Sequence, residues 1–372
     1  MKQMEPQDLK PELAEKRERM EEFMAQQGLD ALVISRHENI AWATAGLVDL
    51  RIGVPRETGA GALLYRRDGK AFYLTTNNEF PRQSAEEFAA LDYEPVVNLW
   101  YANDVAATIR KSCGDGKVGS DMPIGGTTTV QLAPLRYKLT PTEIDRYRWL
   151  GNHSAQAATA VVKQLQPGMT ETQMQTALAE QLLSRQIMPS VYLTAVDDRI
   201  RTYRHAVPRA GVLKNFAMVN FCARRWGLCV SITRFAHFGA MPEELASRFA
   251  SVAIVNAKLQ DATREGRSAA ELFDVAKQAY AAEGFAHEEE MHHQGGATGY
   301  AEREWVARPG GAERLVDSQA VAWNPSLQGA KAEDTVVLQG GALELLTGTP
   351  DLPVVESKHN GSVYLSAGVL PD

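Results

Sequence analysis

Apolar residues recur at helical spacing from the start of the chain. Leu9, Leu13, Met20, Phe23 and Met24 share one face of a charged segment, residues 8–27, and Gly28 closes the pattern. The run Ala31-Leu32-Val33-Ile34-Ser35 then predicts a short buried strand. Two more apolar runs, residues 61–65 and 71–75, flank Arg66-Arg67-Asp68-Gly69, whose Asp-Gly step signals a hairpin. Strand-like and helix-like pieces keep alternating to Val118-Gly119-Ser120-Asp121, which predicts an α/β half of about 130 residues.

The pattern changes at Leu139-Thr140-Pro141-Thr142-Glu143. Thr140 with Glu143 three residues on is a capping box, and Pro141 suits the first turn of a helix. Long helices are expected over 142–165, 170–186, 242–263 and 268–283, broken by Pro167-Gly168 and Glu265-Gly266. Strands are expected near 190–194, 216–222, 227–234, 319–324 and 333–338. No repeat at solenoid periods is present. The chain therefore reads as α+β, with domains over 1–138 and 139–372.

Composition narrows the partners. A length of 372 residues suffices for two cores. A net charge of −7, with lysines and arginines scattered, argues against nucleic acid or an anionic membrane. No apolar run approaches the ~20 residues that span a bilayer, and the charged N-terminal segment has no signal-peptide core. Three cysteines do not make a disulfide framework, so the cytoplasm is the expected location.

Five short motifs then carry a resemblance. The segment Val219-Asn220-Phe221 … Val230-Ser231-Ile232-Thr233-Arg234 resembles the strand pair that holds two metal-binding aspartates in methionine aminopeptidases, aminopeptidase P and prolidases. Met291-His292-His293-Gln294-Gly295 resembles the Gly-His-Gly-x-Gly of those enzymes, Trp323-Asn324-Pro325 their Glu-Pro, and Ala332-Glu333-Asp334-Thr335 their closing Glu-Asp. In the first half, Glu38-Asn39-Ile40-Ala41-Trp42 followed by Gly46 resembles the creatinase N-terminal domain. The resemblance implies a creatinase-like α/β domain followed by a "pita-bread" catalytic-type domain with a weak internal twofold.

The chain departs from that pattern at the ligand positions. The five positions are Asn220, Ser231, a histidine from 292 or 293, Asn324 and Glu333. Four expected carboxylates become one. A two-metal hydrolase needs carboxylates to offset two cations, and Asn and Ser are weak neutral ligands. No metal and no cofactor are therefore expected. Creatinase, which cleaves a C–N bond without metal and also has asparagine at the first aspartate position, is the precedent for Asn220.

The resemblance makes His205, in Tyr203-Arg204-His205-Ala206-Val207-Pro208, the general base and acid. His292 and His293 are both catalytic candidates because the register fits either; the stretch Gly299-Tyr300-Ala301-Glu302-Arg303-Glu304, which resembles a creatinase stretch, favours His292, and since adjacent strand residues face opposite ways only one of the two is expected to point into the site. Tyr300 could donate to an oxyanion, or be a packed aromatic. Glu333 could hold a cationic group of the substrate. Asn220, Asn324 and Ser231 could orient a polar substrate. Cys222 and Cys229 lie on the faces of Asn220 and Ser231, where a soft metal site or a thiolate nucleophile is the lesser alternative to a small buried thiol. Arg51 and Arg56 sit in a loop that reaches the partner's site in dimeric relatives.

The expected function is metal-independent, creatinase-like hydrolysis of a C–N bond in a small polar nitrogen-containing molecule or short peptide. The alternatives are a non-catalytic binding protein of the same fold, and a metallopeptidase related to aminopeptidase P or Xaa-Pro dipeptidase with a rearranged site. A homodimer is implied by the resemblance.

Overall fold

The computed structural model describes residues 6–371. They form an α+β fold of two compact units, one ending at Arg136 and one starting at Tyr137. No helix among the described residues is long and apolar enough to cross a membrane.

The first unit is built on a six-stranded sheet. The strand Ala31–Arg36 lies inside it, antiparallel to Thr58–Arg66 and parallel to Val118–Ser120. Thr58–Arg66 pairs in turn with Ala71–Thr76 across the turn at Asp68-Gly69. That pairing sets Leu63 against Tyr73 and Leu64 against Phe72, and consecutive residues from Ala62 to Tyr65 are buried, so both faces of the sheet are covered. The Lys10–Gln27 helix ends at Gly28, whose φ of 63° is the left-handed conformation expected of a helix stop.

The second unit opens with the predicted capping box. Thr140 Oγ1 accepts from the Glu143 amide and the Glu143 carboxylate accepts from the Thr140 amide, starting the helix Pro141–Gln164. The helix Glu171–Leu183 follows, then the long hairpin Phe216–Arg225 and Leu228–His237. The same order repeats with helices Glu243–Ala262 and Ala269–Ala282 and the strands Gly295–Thr298, Gln319–Trp323 and Asp334–Gln339. Capping boxes at Thr170 and Ser268 open the second helix of each pair. This is the internal twofold in element order.

Two sheets meet where the site lies. The Thr233 amide donates to the Glu333 carbonyl at 3.1 Å, and the Ser231 amide to Thr335 Oγ1 at 3.0 Å. Beneath them Phe216, Phe235 and Phe249 pack ring on ring within a continuous apolar core.

Candidate active site

The long hairpin supplies the floor of the site. Its register sets Asn220 opposite Thr233 and Cys222 opposite Ser231, so these four side chains share one face. Asn220 is buried and donates through Nδ2 to Thr233 Oγ1 at 2.6 Å, to the Ile232 carbonyl at 3.2 Å, and to the Glu333 carboxylate. Thr233 Oγ1 also donates to Glu333 Oε2 at 2.6 Å. Asparagine thus acts here as a donor to the one carboxylate that remains.

Two cations that the motif reading left out hold the same carboxylate. Lys331 Nζ lies 2.7 Å from Glu333 Oε2, and Arg303 Nη2 lies 3.5 Å from Oε1. Arg303 Nη1 donates to Ser231 Oγ at 3.0 Å. Burial pushes the Glu333 pKa up, but Lys331 and Arg303 outweigh it and bring it down to about 2. The expected substrate cation therefore finds Glu333 already engaged by the protein's own cations. Lys331 had a legible signal, because a strand-like segment puts residues 331 and 333 on one side. Arg303 lies in the creatinase-like stretch 299–304, but its reach to Glu333 had no signal, since it comes from the loop between Gly295–Thr298 and Trp305–Val306.

Three histidines face this group. His205 comes from the loop after the short helix Asp198–Thr202, and its Nε2 is 3.0 Å from His292 Nε2. The rings of His292 and His293 stack with centroids 4.3 Å apart. The alternation argument that admitted only one of them fails, because both precede the strand Gly295–Thr298 and so do not follow its pleat. Gly295 fixes their entry: its φ is 100°, and a Cβ there would sit 2.1 Å from the Ala322 carbonyl oxygen. Burial and then the neighbouring positive groups keep the rings neutral. His292 is brought down to about 3 and His293 to about 4, and His205 is lowered by burial and by Lys331 against the pull of Glu333.

Asn324 closes the remaining side. Its amide donates to the Gln294 carbonyl at 3.0 Å, while its buried Oδ1 has no partner. Beside Lys331 and His292 a cavity of about 20 Å³ is walled by Ile200, Met218, Phe235 and Leu327. It has room for about one water molecule.

Tyr300, Cys222, Cys229 and Arg51 remain. Tyr300 is fully buried and its hydroxyl donates to Glu143 Oε1 at 2.6 Å, on the first long helix. It is a packed aromatic with a satisfied hydroxyl and not an oxyanion donor. Cys222 Sγ lies 3.3 Å from Ser231 Oγ, and burial pushes its thiol up to about 11. Cys229 is buried and pushed up to about 12. Neither is a thiolate near neutral pH. Arg51 closes on Asp49 of its own loop at 2.7 Å.

The sequence profile of metallopeptidase family M24 matches residues 145–340, more than half of the chain. The chain belongs to this family. The creatinase/prolidase N-terminal domain matches residues 16–144, so the chain carries both modules in the expected order. The family is one of hydrolases, in line with the expectation of a hydrolase. No curated protein sequence matches the chain. Among solved structures, the prolidase from Pyrococcus horikoshii OT3 is similar at 16% identity and a TM-score of 0.74, covering 90% of this chain and 98% of that one. The dipeptidase PepE from Mycobacterium ulcerans is similar at 18% identity and a TM-score of 0.74, covering 97% and 99%. The N-terminal domain of the FACT complex subunit SPT16 from Cicer arietinum shares the fold at 11% identity and a TM-score of 0.63, covering 90% and 96%. At these identities the likeness is one of fold.

Proposed function

We propose that the chain is a hydrolase that cleaves a C–N bond in a small, polar, nitrogen-containing molecule without a bound metal ion. What carries the reading is the grip of Lys331 and Arg303 on the two oxygens of Glu333. A divalent ion at that carboxylate would lie within a few ångströms of two fixed positive charges. The other ligand positions, Asn220, Ser231 and Asn324, bring no charge to offset it. The donor set does not fit a two-metal centre, and no step is routed through one.

His205 is the water-activating group. It is exposed, and its lowered pKa leaves the imidazole neutral at pH 7, ready to accept a proton. The entering water takes the place of the contact between the two Nε2 atoms. Its oxygen adds to the carbon that bears the scissile nitrogen as its proton passes to His205. The C–N bond then breaks, and the same proton goes to the leaving nitrogen, which restores the neutral ring. A depressed imidazole pKa favours this second transfer, because the imidazolium is a stronger acid. Lys331 faces the negative charge that develops on the substrate, and His292 Nε2 lies on the far side of the entering water from His205.

The free cysteines suit a reducing compartment such as the cytoplasm, and a homodimer is carried over from the family resemblance. A second reading, a binding protein without turnover, is favoured by one observation: the Glu333 carboxylate is already met by Asn220, Thr233 and the two cations with no ligand present. The third, a rearranged metal centre, would use His205, His292 and His293, whose nitrogens lie within 4.8 Å of one another.

Metal content of the purified untagged protein, before and after soaking with Mn, Co and Zn, comes first. Less than about a tenth of an equivalent is expected in each case. One or two tightly held equivalents would overturn the metal-free reading and turn attention to the three histidines. Turnover is then read on a panel of small amides, ureas, guanidines and Xaa-Pro dipeptides. His205→Ala is expected to lose about 100-fold or more in kcat with its melting curve intact. Unchanged turnover in that variant would sink the assignment of His205, and no turnover on any substrate favours the binding reading.

A further inference from the structure

We infer that Lys331 and Arg303 form an anion-binding subsite, and that its ligand is a small molecule with a carboxylate next to an amide N–H. The inference deepens the hydrolase reading and rests on it only in taking the site to be free of metal.

The charge balance points this way. Near the site the ion pairs Arg204–Glu288 and Arg234–Asp334 each match one cation to one carboxylate. Glu333 is the exception, with two cations on one carboxylate. Its ionised charge offsets one of them, so the cluster carries a surplus of one positive charge. The side chains concerned are largely buried, at 9% exposure for Lys331, 15% for Arg303 and 3% for Glu333. A surplus charge in such a place is costly unless a counter-charge arrives. The three neighbouring histidines are lowered first by burial and then by the positive groups beside them, Lys331 among them.

The hydrogen-bond donors point the same way. The Lys331 ammonium has three N–H groups, and Glu333 takes one of them. Arg303 donates through Nη1 to Ser231 Oγ and the Glu302 carbonyl and reaches Glu333 with Nη2, but its buried Nε has no partner. A ligand that accepts from both cations would complete them. A carboxylate does so with a single negative charge, which equals the surplus.

Asn324 supplies the other half of the ligand's description. Its Oδ1 is buried, has no partner and can only accept. The Ala332 amide donates to the Pro325 carbonyl at 3.0 Å, which keeps Asn324 beside the Lys331 segment. An acceptor here and donors there suit an amide N–H and a carboxylate on one small molecule. Inorganic phosphate offers mainly acceptors and leaves Asn324 unanswered.

The test is a charge series of nearly constant shape, measured by calorimetry at low salt on protein stripped of metal and freed of chelator. The probes are N-acetylglycine (anionic), N-acetylglycinamide (neutral) and N-acetylethylenediamine (cationic). N-acetylglycine is expected to bind about tenfold or more tighter than the neutral probe, with the cation weakest. Lys331→Met should remove the preference, and Glu333→Gln should strengthen it, because one negative charge leaves the cluster. A purely structural role for Glu333 would move binding the other way. Arg303→Met serves in place of Lys331→Met if the latter does not fold. The inference is overturned if the cationic probe binds tightest, if the three bind equally or not at all, or if the cation-removing variant keeps the preference. No turnover is read, so failure of the hydrolase reading leaves this result standing, and absence of the preference in the unaltered protein overturns the subsite without bearing on hydrolysis.

Discussion

Glu333 and Asp334 are neighbours in sequence and both are buried, yet they answer burial in opposite ways. Asp334 meets one cation, Arg234 Nη2 at 2.7 Å, and the Thr347 hydroxyl at 2.7 Å. Burial still wins there, and its pKa lies above the usual aspartate value. Glu333 meets Lys331 and Arg303, and its pKa falls to about 2 against the same burial. The first carboxylate is matched one to one inside the protein. The second is over-matched, at the edge of a group of three histidines. A balanced pair holds two sheets together, whereas an unbalanced cluster is prepared for something that is not part of the chain.

The comparison breaks most visibly when one cation is removed from each side. Arg234→Ala leaves Asp334 buried without its cation and is expected to cost about 3–5 kcal/mol in urea unfolding. Lys331→Met leaves Glu333 with Arg303, Asn220 and Thr233 and is expected to cost about 1–2 kcal/mol. Equal losses would mean that the two carboxylates are structural in the same sense.

Tyr300 separates architecture from chemistry in the same way. Tyr300→Phe removes the hydroxyl that donates to buried Glu143 Oε1 and should cost about 1 kcal/mol of stability. Its kcat should stay within a factor of about two if the hydroxyl takes no part in turnover. A large fall in kcat with stability unchanged would return Tyr300 to the site.

The pH dependence of stability is a finer probe. The folded pKa of Glu333 is depressed from 4.5 to about 2, so its contribution is present above pH 4.5 and is lost as pH falls towards 2. His292 and His293 are also depressed, from 6.5 to about 3 and about 4, so the unfolded chain takes up protons first. Their contribution is present above pH 6.5 and is lost as pH falls through that lower window. Chemical unfolding from pH 7 to 3 should show a slope that flattens below pH 6.5 in His292→Gln and below pH 4.5 in Glu333→Gln. Wild-type slopes in both variants would mean that the folded pKa values are ordinary.

The smallest effect concerns the thiols. With Cys222 pushed up to about 11 and Cys229 to about 12, iodoacetamide at pH 8 should modify both slowly in the folded protein and rapidly after unfolding. Rapid modification of folded Cys222, read by intact mass, would revive a nucleophilic thiol.

Much of the fold was legible because it is written in local signals. The four long helices were placed by apolar period, capping residues and Pro-Gly breaks, and the first hairpin by Asp68-Gly69 between apolar runs. The strands Gly295–Thr298, Val354–His359 and Ser362–Ala367 were not foreseen. Gly295–Thr298 has almost no side chain to carry a period, and the other two are short and half exposed, so their alternation is weak against neighbouring loops. Of the site, the residues on the motif positions were legible, including Asn220, Ser231, Asn324, Glu333 and the histidines.

By itself, then, the sequence determined the two-module α+β architecture and set Asn220, Ser231 and Asn324 where the resemblance expects carboxylates. Hydrophobic period and motif spacing are properties of neighbours along the chain, so no third dimension was needed. Only the tertiary structure decided what stands against the surviving carboxylate. Arg303 reaches Glu333 from 30 residues away, and His205 reaches His292 from 87. It also turned Tyr300 away from the site and stacked two histidines that the strand rule would have parted. The reason is physical: the sign of a site's charge depends on which side chains the folded backbone brings within a few ångströms, and residue spacing along the chain does not carry that information.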